Sequence, residues 1–374
     1  MKILLFLTLT AFGCSNINTK VDNQYVIVGS YTENSGINTE KSKGIYLYKM
    51  NSKGVLTLLA TSPATLNPSY IIVHQNKRWL YAVNEVEHGE ISAFYIDTAL
   101  RKITFINKVS SEGSNPCYIT IDNTGKYIMA ANYSSGNVGI FPISANGALL
   151  NACSIDIHTG NGPVQDRQAG PHAHMITQNN TGFIYSNDLG NDKILLYRFD
   201  TLKNKLISLP DAFKATPGSG PRQLIFHSHN KWAYSINELN GTIDAFNVNS
   251  DNGILTKMQS INTVTSDKNK VAGSADIHIT PSGEYLYASN RNELNNIAMY
   301  SVDKLNGTLS LIGFIPSGGK TPRCFGIDES GSFVLIANQN SNEINTFIID
   351  KNTGKLTNTG NKINVSSPTC VRFF

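Results

Sequence analysis

Apolar and polar residues alternate in short runs along most of the chain, and one such run recurs seven times. Each copy contains an aromatic residue and, three positions later, a turn former; the aromatic residues are spaced 46 to 56 residues apart, at Tyr48, Phe94, Phe141, Tyr197, Phe246, Tyr300 and Phe347. Alternation with period two indicates β-strands with one buried face. Because a repeat of this length suits four short strands and their turns, the pattern predicts an all-β, seven-bladed β-propeller with four-stranded antiparallel blades.

A second pattern marks the beginning of the blades. In five units a proline opens one strand-like run and an asparagine closes the next, always sixteen residues later: Pro68–Asn84, Pro116–Asn132, Pro171–Asn187, Pro221–Asn237 and Pro322–Asn338. A sixth unit keeps this separation with Ser274 and Asn290. Such a constant separation predicts a hairpin whose two strands are held in one register.

The seventh hairpin is divided between the two ends of the chain. The C-terminal "SPTCVRFF", with Pro368, supplies its opening strand, and "QYVIVGSYT" near the N-terminus supplies its closing strand. We therefore expect both termini to close the last blade, which removes the exposed edges of an open array. Residues 24–374 are predicted to form a single propeller domain.

The N-terminal segment has a different composition. "MKILLFLTLTAFGC" contains a lysine, an apolar run and Gly-Cys; the run is too short to span a bilayer and is typical of a secretory signal. Gly13-Cys14 resembles a bacterial lipoprotein signal, in which the cysteine is acylated. This predicts a signal peptide over residues 1–14, a tether over 15–23, and an exported periplasmic or membrane-anchored protein, cytoplasmic if the signal is not processed. The alternative is an apolar strand that stays on the protein.

Charge and cysteine content narrow the range of partners. The net charge of +4 is spread along the chain without a basic run, so no nucleic-acid partner is expected. Membrane contact is expected only through the N-terminal lipid. The remaining cysteines have no metal-ligand spacing and are interpreted as small buried residues: Cys117, Cys153, Cys324 and Cys370.

Charged and aromatic residues concentrate at two positions that should meet at one mouth of the central channel. The residues after the opening position are Ser69, Cys117, His172, Arg222, Ala275 and Arg323. Those after the closing position are Glu85, Tyr133, Asp188, Glu238, Arg291 and Gln339, with Tyr31 from the divided blade. Since serine, cysteine and alanine also occur there, folding does not require the charges. The ring is thus a candidate site, or alternatively Arg222, Glu238 and Arg291 form a salt-bridge network that closes the channel.

Several sequence motifs, taken in their order along the chain, resemble those of a known protein family. "NPSY", "YAVNE", "PHAH", "GSGPRQLIFH", "NEL", "ADIHITPSGEYLYASNR" and "TPRCFGID" resemble the bacterial 6-phosphogluconolactonase family of seven-bladed propellers, which includes the fungal carboxymuconate cyclases. The resemblance covers about residues 24 to 374. It implies hydrolysis of a sugar lactone, typically 6-phosphoglucono-1,5-lactone, without a metal or other cofactor, and it implies four site residues: His174, Arg222, Glu238 and Arg291. Gln223 departs from the histidine that often follows GPR, which affects the expected substrate contacts.

The same residue types suit lactone hydrolysis on chemical grounds. The reaction needs a base for the attacking water and donors for the oxygen anion that forms at the carbonyl. Either His174 or Glu238 can supply the base, and the sequence does not choose between them; Arg222 and Arg291 can supply the donors. A guanidinium also suits an anionic substrate group. Further substrate contacts are expected from His172, Arg323, Asp188, Glu85 and Tyr133.

Three alternatives stay open at this level. His172 and His174, with Asp188, could hold a metal ion. The same arginines and base would serve a lyase that opens or closes a carboxylated lactone. A non-catalytic surface propeller that binds a sugar acid or a protein is the third. A covalent serine mechanism is disfavoured because the chain has no GxSxG motif.

Overall fold

Seven four-stranded antiparallel sheets form the part of the protein that the structure describes, so the predicted all-β class and blade number are confirmed. The computed structural model describes residues 24–33, 42–264 and 273–374. Besides strands, this part contains the four-residue helix α1 (Gln165–Gln168) and a 3₁₀ turn (Gln339–Ser341). None of its helices has the length and apolar character needed to cross a membrane.

The strands follow one another from the channel outwards in each blade. Blade 1 contains β28 (Pro368–Phe373), β1 (Gln24–Ser30), β2 (Tyr46–Met50) and β3 (Leu56–Thr61). Blade 2 contains β4 (Tyr70–Val73), β5 (Trp79–Asn84), β6 (Glu90–Asp97) and β7 (Lys102–Ser110); blade 3 contains β8 (Pro116–Ile121), β9 (Tyr127–Asn132), β10 (Asn137–Pro142) and β11 (Ser154–Ile157). Blade 4 contains β12 (Ala173–Gln178), β13 (Ile184–Asp188), β14 (Lys193–Asp200) and β15 (Lys205–Lys214).

The last three blades repeat this order. Blade 5 contains β16 (Pro221–Phe226), β17 (Trp232–Asn237), β18 (Thr242–Val248) and β19 (Leu255–Asn262). Blade 6 contains β20 (Ser274–Ile279), β21 (Tyr285–Asn290), β22 (Asn296–Val302) and β23 (Leu309–Pro316); blade 7 contains β24 (Pro322–Ile327), β25 (Phe333–Asn338), β26 (Glu343–Ile349) and β27 (Leu356–Asn364).

The ring is closed by the two chain ends, as predicted. Strand β28 pairs antiparallel with β1 in one sheet. Each innermost strand contacts the innermost strand of the next blade, and β28 contacts both β24 and β4. Closure gives each innermost strand a packed neighbour in both adjacent blades, so that no blade at the end of the array is left uncovered.

The recurring sequence positions have structural explanations. In four hairpins the opening and closing residues are paired in register, which accounts for their fixed separation: Pro116↔Asn132, Pro221↔Asn237, Ser274↔Asn290 and Pro322↔Asn338. In blade 4, Asn187 pairs instead with Met175. The seven recurring aromatic residues lie on the third strand of their blades and are buried. Burying such a side chain contributes about 1.5–3 kcal/mol to stability, so the repeat is maintained by the packing between blades.

A hydrogen bond also ties neighbouring blades together. Tyrosines on the second strands donate their hydroxyl to a glycine carbonyl in the outer hairpin of the next blade, at 2.8–3.0 Å: Tyr81 to Gly147, Tyr185 to Gly253, Tyr234 to Gly307 and Tyr287 to Gly354. These glycines have positive φ, which other residues adopt rarely. The contact fixes the turn of one blade against the core of its neighbour.

Candidate active site

β-Bulges place the candidate residues in the channel. The register of the innermost hairpin shifts just after the first paired residue of its opening strand in blades 3, 4, 5 and 7, so that one residue has no partner on the next strand. These extra residues are Cys117, His174, Arg222 and Arg323, and all four line one cavity. Because a bulge redirects a side chain without breaking the sheet, the fold can vary the chemistry of this mouth while the blades stay regular.

The cavity has a volume of about 200 Å³ and is strongly polar. Its walls are Glu85, Cys117, Tyr133, Arg167, His174, Arg222, Glu238, Arg291 and Arg323. A neighbouring cavity of about 460 Å³ shares Glu85 and Arg323 with it and extends to Tyr31 and Gln339. The first cavity therefore brings together seven of the nine residues expected on sequence grounds to form the site.

Glu238 is the centre of an ion network in this cavity. Its Oε2 accepts hydrogen bonds from Arg222 Nε at 2.8 Å and lies 3.0 Å from Arg291 Nη2, while its Oε1 accepts one from Arg167 Nη2 at 2.7 Å. Burial alone would raise the pKa of Glu238, but Arg291 and Arg222 outweigh it and hold the pKa far below its usual range. Glu238 is therefore an anion at neutral pH, committed to guanidinium groups and poorly suited to accept a proton.

His174 differs from Glu238 in its charge and in its hydrogen bonding. Its side chain is buried, and its Nδ1 has no hydrogen-bond partner among the residues that the structure describes. Burial and the charge of Arg222 hold the pKa of His174 well below 6.5, although Glu238 acts in the other direction. The imidazole is thus neutral at pH 7 and able to accept a proton. An unpaired buried polar atom is uncommon and costs about 1–3 kcal/mol, which favours a functional reason for it.

A second carboxylate contacts the remaining arginine. The Tyr31 hydroxyl donates to Glu85 Oε1 at 2.8 Å, and Arg323 Nη2 lies 3.5 Å from Glu85 Oε2. The Arg323 guanidinium also lies 5.3 Å from the centre of the Tyr31 ring. With four guanidiniums and two carboxylates on its walls, the cavity carries a net positive charge and favours an anionic ligand.

His172 and Asp188, two of the expected substrate contacts, do not line either cavity. The His172 ring stacks on Tyr133 at 4.4 Å, and its Nδ1 donates to the Tyr133 carbonyl at 2.9 Å. Asp188 is fully buried, with Oδ2 2.6 Å from His158 Nδ1 and Oδ1 accepting the backbone N–H groups of His172 and Gly190. Both residues support the walls of the cavity from behind. Gln223 is likewise buried in β16 and lines neither cavity.

Arg167 is a site residue that the repeat pattern did not reveal. It lies on α1, in the segment between β11 and β12, and reaches Glu238 from 71 positions away. The neighbouring Gln168 anchors this segment, because it is fully buried and donates to the Leu189 carbonyl at 2.8 Å. The only sequence signal is the spacing of 56 residues between Phe141 and Tyr197, the longest in the chain, which marks an insertion.

Two further expectations from the sequence concern a metal site and the N-terminal segment. In residues 24–33, 42–264 and 273–374, no three His, Cys, Asp or Glu side chains are grouped so that they could hold a metal ion. The predicted signal peptide, Cys14 and the tether lie outside the described residues.

Comparison with known proteins finds similar chains by sequence and by structure. The family model described as "Lactonase, 7-bladed beta-propeller" matches residues 25–373. The chain is 36% identical to the 6-phosphogluconolactonase of Formosa agariphila, covering 93% of this chain and 99% of the relative, and 30% identical to that of Bacillus subtilis, covering 92% and 97%. The solved periplasmic gluconolactonase of Pseudomonas aeruginosa superimposes with a TM-score of 0.86 at 28% identity, over 94% of this chain and 99% of that one.

Proposed function

The chain belongs to the lactonase family of seven-bladed β-propellers. From this premise we propose that it is a carboxylic-ester hydrolase that opens a sugar lactone. The preferred substrate in this proposal is 6-phosphogluconolactone, and the product is 6-phosphogluconate. The observation that carries the proposal is the neutral His174, with an unpaired ring nitrogen, beside four guanidiniums in one cavity. This is the combination that the reaction needs, a proton acceptor next to groups that stabilise an oxygen anion.

The proposed reaction follows from the roles of these side chains. The oxygen of a water molecule attacks the lactone carbonyl carbon while the imidazole of His174 takes up the proton. Arg222 and Arg291 stabilise the negative charge on the carbonyl oxygen. The bond between the carbonyl carbon and the ring oxygen then breaks, and the proton on His174 passes to that oxygen to give a hydroxyl group. The products are one carboxylic acid and one alcohol from one water and one lactone.

Glu238 has a different role in this scheme. Its carboxylate is held by three arginines at 2.7–3.0 Å, so it keeps their guanidinium groups aligned in a water-poor site. Fixed charges of this kind act on the transition state without having to reorganise. In this proposal the ion network, which the sequence left as a structural alternative to a catalytic ring, takes part in the catalytic arrangement.

The positive cavity supports a phosphorylated substrate over a plain one. Four arginines face two carboxylates, and Arg323 lies where the two cavities meet. A guanidinium can bind phosphate through two parallel hydrogen bonds, and no lysine of the described part of the chain lines either cavity. A lyase for carboxylated lactones would use the same cations, but no contact in the cavity favours it.

The test is a substrate panel. The purified full chain is incubated with phosphorylated and plain sugar lactones, and acid release is followed in a pH-stat at pH 7 against the spontaneous rate, with His174→Gln as the matched control. Acceleration by the wild type and its loss in His174→Gln would support the proposal. No acceleration for any lactone, together with tight binding of a sugar acid, would instead indicate a non-catalytic binding propeller.

We also propose that the protein is exported and anchored by a lipid on Cys14. The support is the sequence of residues 1–14, with its lysine, apolar run and Gly-Cys. The similarity to a gluconolactonase that is described as periplasmic is consistent with an exported member of the family.

A further inference from the structure

Arg167 differs from Arg222 and Arg291, the other two arginines around Glu238, in how it is held. Arg222 is 3% exposed and donates from Nε to Glu238 and from Nη1 to the Ala275 carbonyl. Arg291 is 14% exposed and donates from Nε to the Gly273 carbonyl at 2.9 Å. Both are fixed by a backbone carbonyl in addition to the carboxylate. Their guanidinium groups are therefore fixed parts of the wall.

Among the residues that the structure describes, the Arg167 guanidinium is held through a single nitrogen and by no backbone group. Its Nη2 makes both contacts, at 2.7 Å with Glu238 Oε1 and 3.3 Å with the Tyr133 hydroxyl. Its side chain is 42% exposed, and it projects from a helix of only four residues. An ion pair open to water is weak, so this contact is the one in the network that can be exchanged at little cost.

We propose that Arg167 is a latch operated by the substrate: it leaves Glu238 Oε1 for the phosphate of the bound lactone, and this transfer strengthens the base. The inference rests on the proposed function and adds a reason why a phosphorylated substrate reacts faster as well as binding more tightly. Arg167 is in this scheme a specificity-determining residue that acts on His174 through Glu238.

The transfer of Arg167 from Glu238 to the phosphate changes the proton affinity of His174 through electrostatics. The charge of Glu238 favours the protonated form of His174, whereas Arg222, Arg323 and Arg291 oppose it. When Arg167 leaves, Glu238 is neutralised by fewer cations, and the phosphate adds negative charge nearby. Both changes make His174 a better proton acceptor near neutral pH. An uncharged lactone leaves the latch closed.

Several other groups face His174 and set its starting state. The Tyr133 ring lies 5.7 Å away edge-on, and Cys117 Sγ lies 3.6 Å from the His174 carbonyl oxygen. The charged groups that act on its imidazole are Arg222, Glu238, Arg323 and Arg291. All of these stay in place in the proposal, since each is held by the blades, and only Arg167 changes its partner.

The first experiment measures the latch without catalysis. Histidine-labelled full-length protein is titrated by NMR with and without inorganic phosphate, and His174→Gln identifies the resonance. In the wild type, phosphate should raise the pKa of His174 by at least about one unit, a tenfold change in its proton affinity. In Arg167→Ala, phosphate should bind about 10-fold more weakly, within the range of 5- to 150-fold typical of coupled sites, and the pKa should already be higher without phosphate.

The second experiment measures the kinetic consequence. The preference for a phosphorylated over a plain lactone, taken as the ratio of kcat/KM values, should fall about 10-fold in Arg167→Ala. The acid limb of the pH profile for the plain lactone should move to higher pH, because a cation near the base has been removed. Arg167→Lys should recover part of the preference. Gln165→Ala, an exposed neutral change on the same helix, should leave all these values unchanged.

The two arms separate the latch from the proposed function. Equal phosphate affinity in wild type and Arg167→Ala, or an equal rise in the pKa of His174 in both, would overturn the latch even if lactones are hydrolysed normally. A proportional fall in activity on both lactones with an unmoved acid limb would do the same, since it would indicate only a structural role. If phosphate shifts His174 as expected but no lactone is hydrolysed, the coupling between a bound phosphate, Arg167 and His174 stands and the lactonase proposal fails.

Discussion

Replacing Glu238 by glutamine tests the ion network most directly. The change keeps the shape of the side chain but removes the negative charge that three guanidiniums share at 2.7–3.0 Å. The amide would also present an N–H donor to groups that are themselves donors. Arg222 and Arg291 would then remain in a water-poor cavity without a counter-ion.

The expected size of the effect follows from burial. Glu238 and Arg222 are 6% and 3% exposed, and removing one partner of a buried ion pair costs about 3–5 kcal/mol. Arg167 is 42% exposed, so its share is about 0.2–1 kcal/mol. Glu238→Gln should therefore lose about 3–5 kcal/mol of unfolding free energy, and Arg167→Ala should lose no more than about 1 kcal/mol.

Urea unfolding at several pH values is the assay. The pKa of Glu238 is lowered in the folded protein, so its stabilising contribution is complete above the ordinary glutamate pKa of about 4.3 and is lost as the pH falls toward the folded value. The difference between wild type and Glu238→Gln should be constant from pH 8 to 5.5 and should narrow below about pH 4.3. Turnover per folded molecule should also fall, because the arginines lose their alignment.

The matched control is Glu90→Gln, which removes a carboxylate from the exposed pair with Lys108 and should cost at most about 1 kcal/mol. The reasoning would be refuted if Glu238→Gln cost no more than this control, or if its deficit persisted unchanged in acid. A large loss of stability with normal turnover per folded molecule would show that the network is structural alone.

Four further predictions concern the base, the substrate, the anchor and the closure of the ring. His174→Gln should lower kcat by about 10²–10⁴-fold with little change in urea unfolding, and wild-type kcat/KM for a plain lactone should stay flat from pH 8 down to 6.5, because the pKa of His174 lies well below 6.5. Arg323→Ala should raise KM for a phosphorylated lactone more than for a plain one in steady-state kinetics. Wild-type protein should incorporate a fatty-acid probe and fractionate with membranes, whereas Cys14→Ala should do neither; a membrane-bound variant would contradict acylation. Removing residues 368–373 should expose the edge of β1 and abolish cooperative thermal unfolding measured by circular dichroism.

The repeat made the architecture predictable from the sequence. Each blade uses the same backbone geometry, so period-two alternation, a buried aromatic residue and a turn recur at fixed positions. The sixteen-residue separation of Pro221 and Asn237 proved to be a register pair. The divided blade could be inferred because a ring of repeats leaves no other partner for the two chain ends. These features follow from local backbone geometry and from burial, and the pattern of residues along the chain indicates both.

The composition of the site depended on departures from the repeat, and these were decided in three dimensions. His172 and His174 both follow Pro171, and alternation alone assigns them to the same side of a strand. Only the bulge in blade 4 places His174 in the cavity and leaves His172 stacked on Tyr133. Similarly, nothing local distinguishes Asp188, which binds the buried His158, from Glu238 at the equivalent position.

Arg167 shows most clearly which part of the site the sequence pattern could not reveal. It lies in an irregular insertion, and its partner Glu238 is 71 positions away on another blade. A periodic pattern reports what every repeat must satisfy to fold, so the sequence by itself determined the blades, the closure and the ring of candidate positions. Which of these positions share one cavity, and which insertion reaches across it, depended on contacts between distant segments, whose energies arise only once the ring has closed.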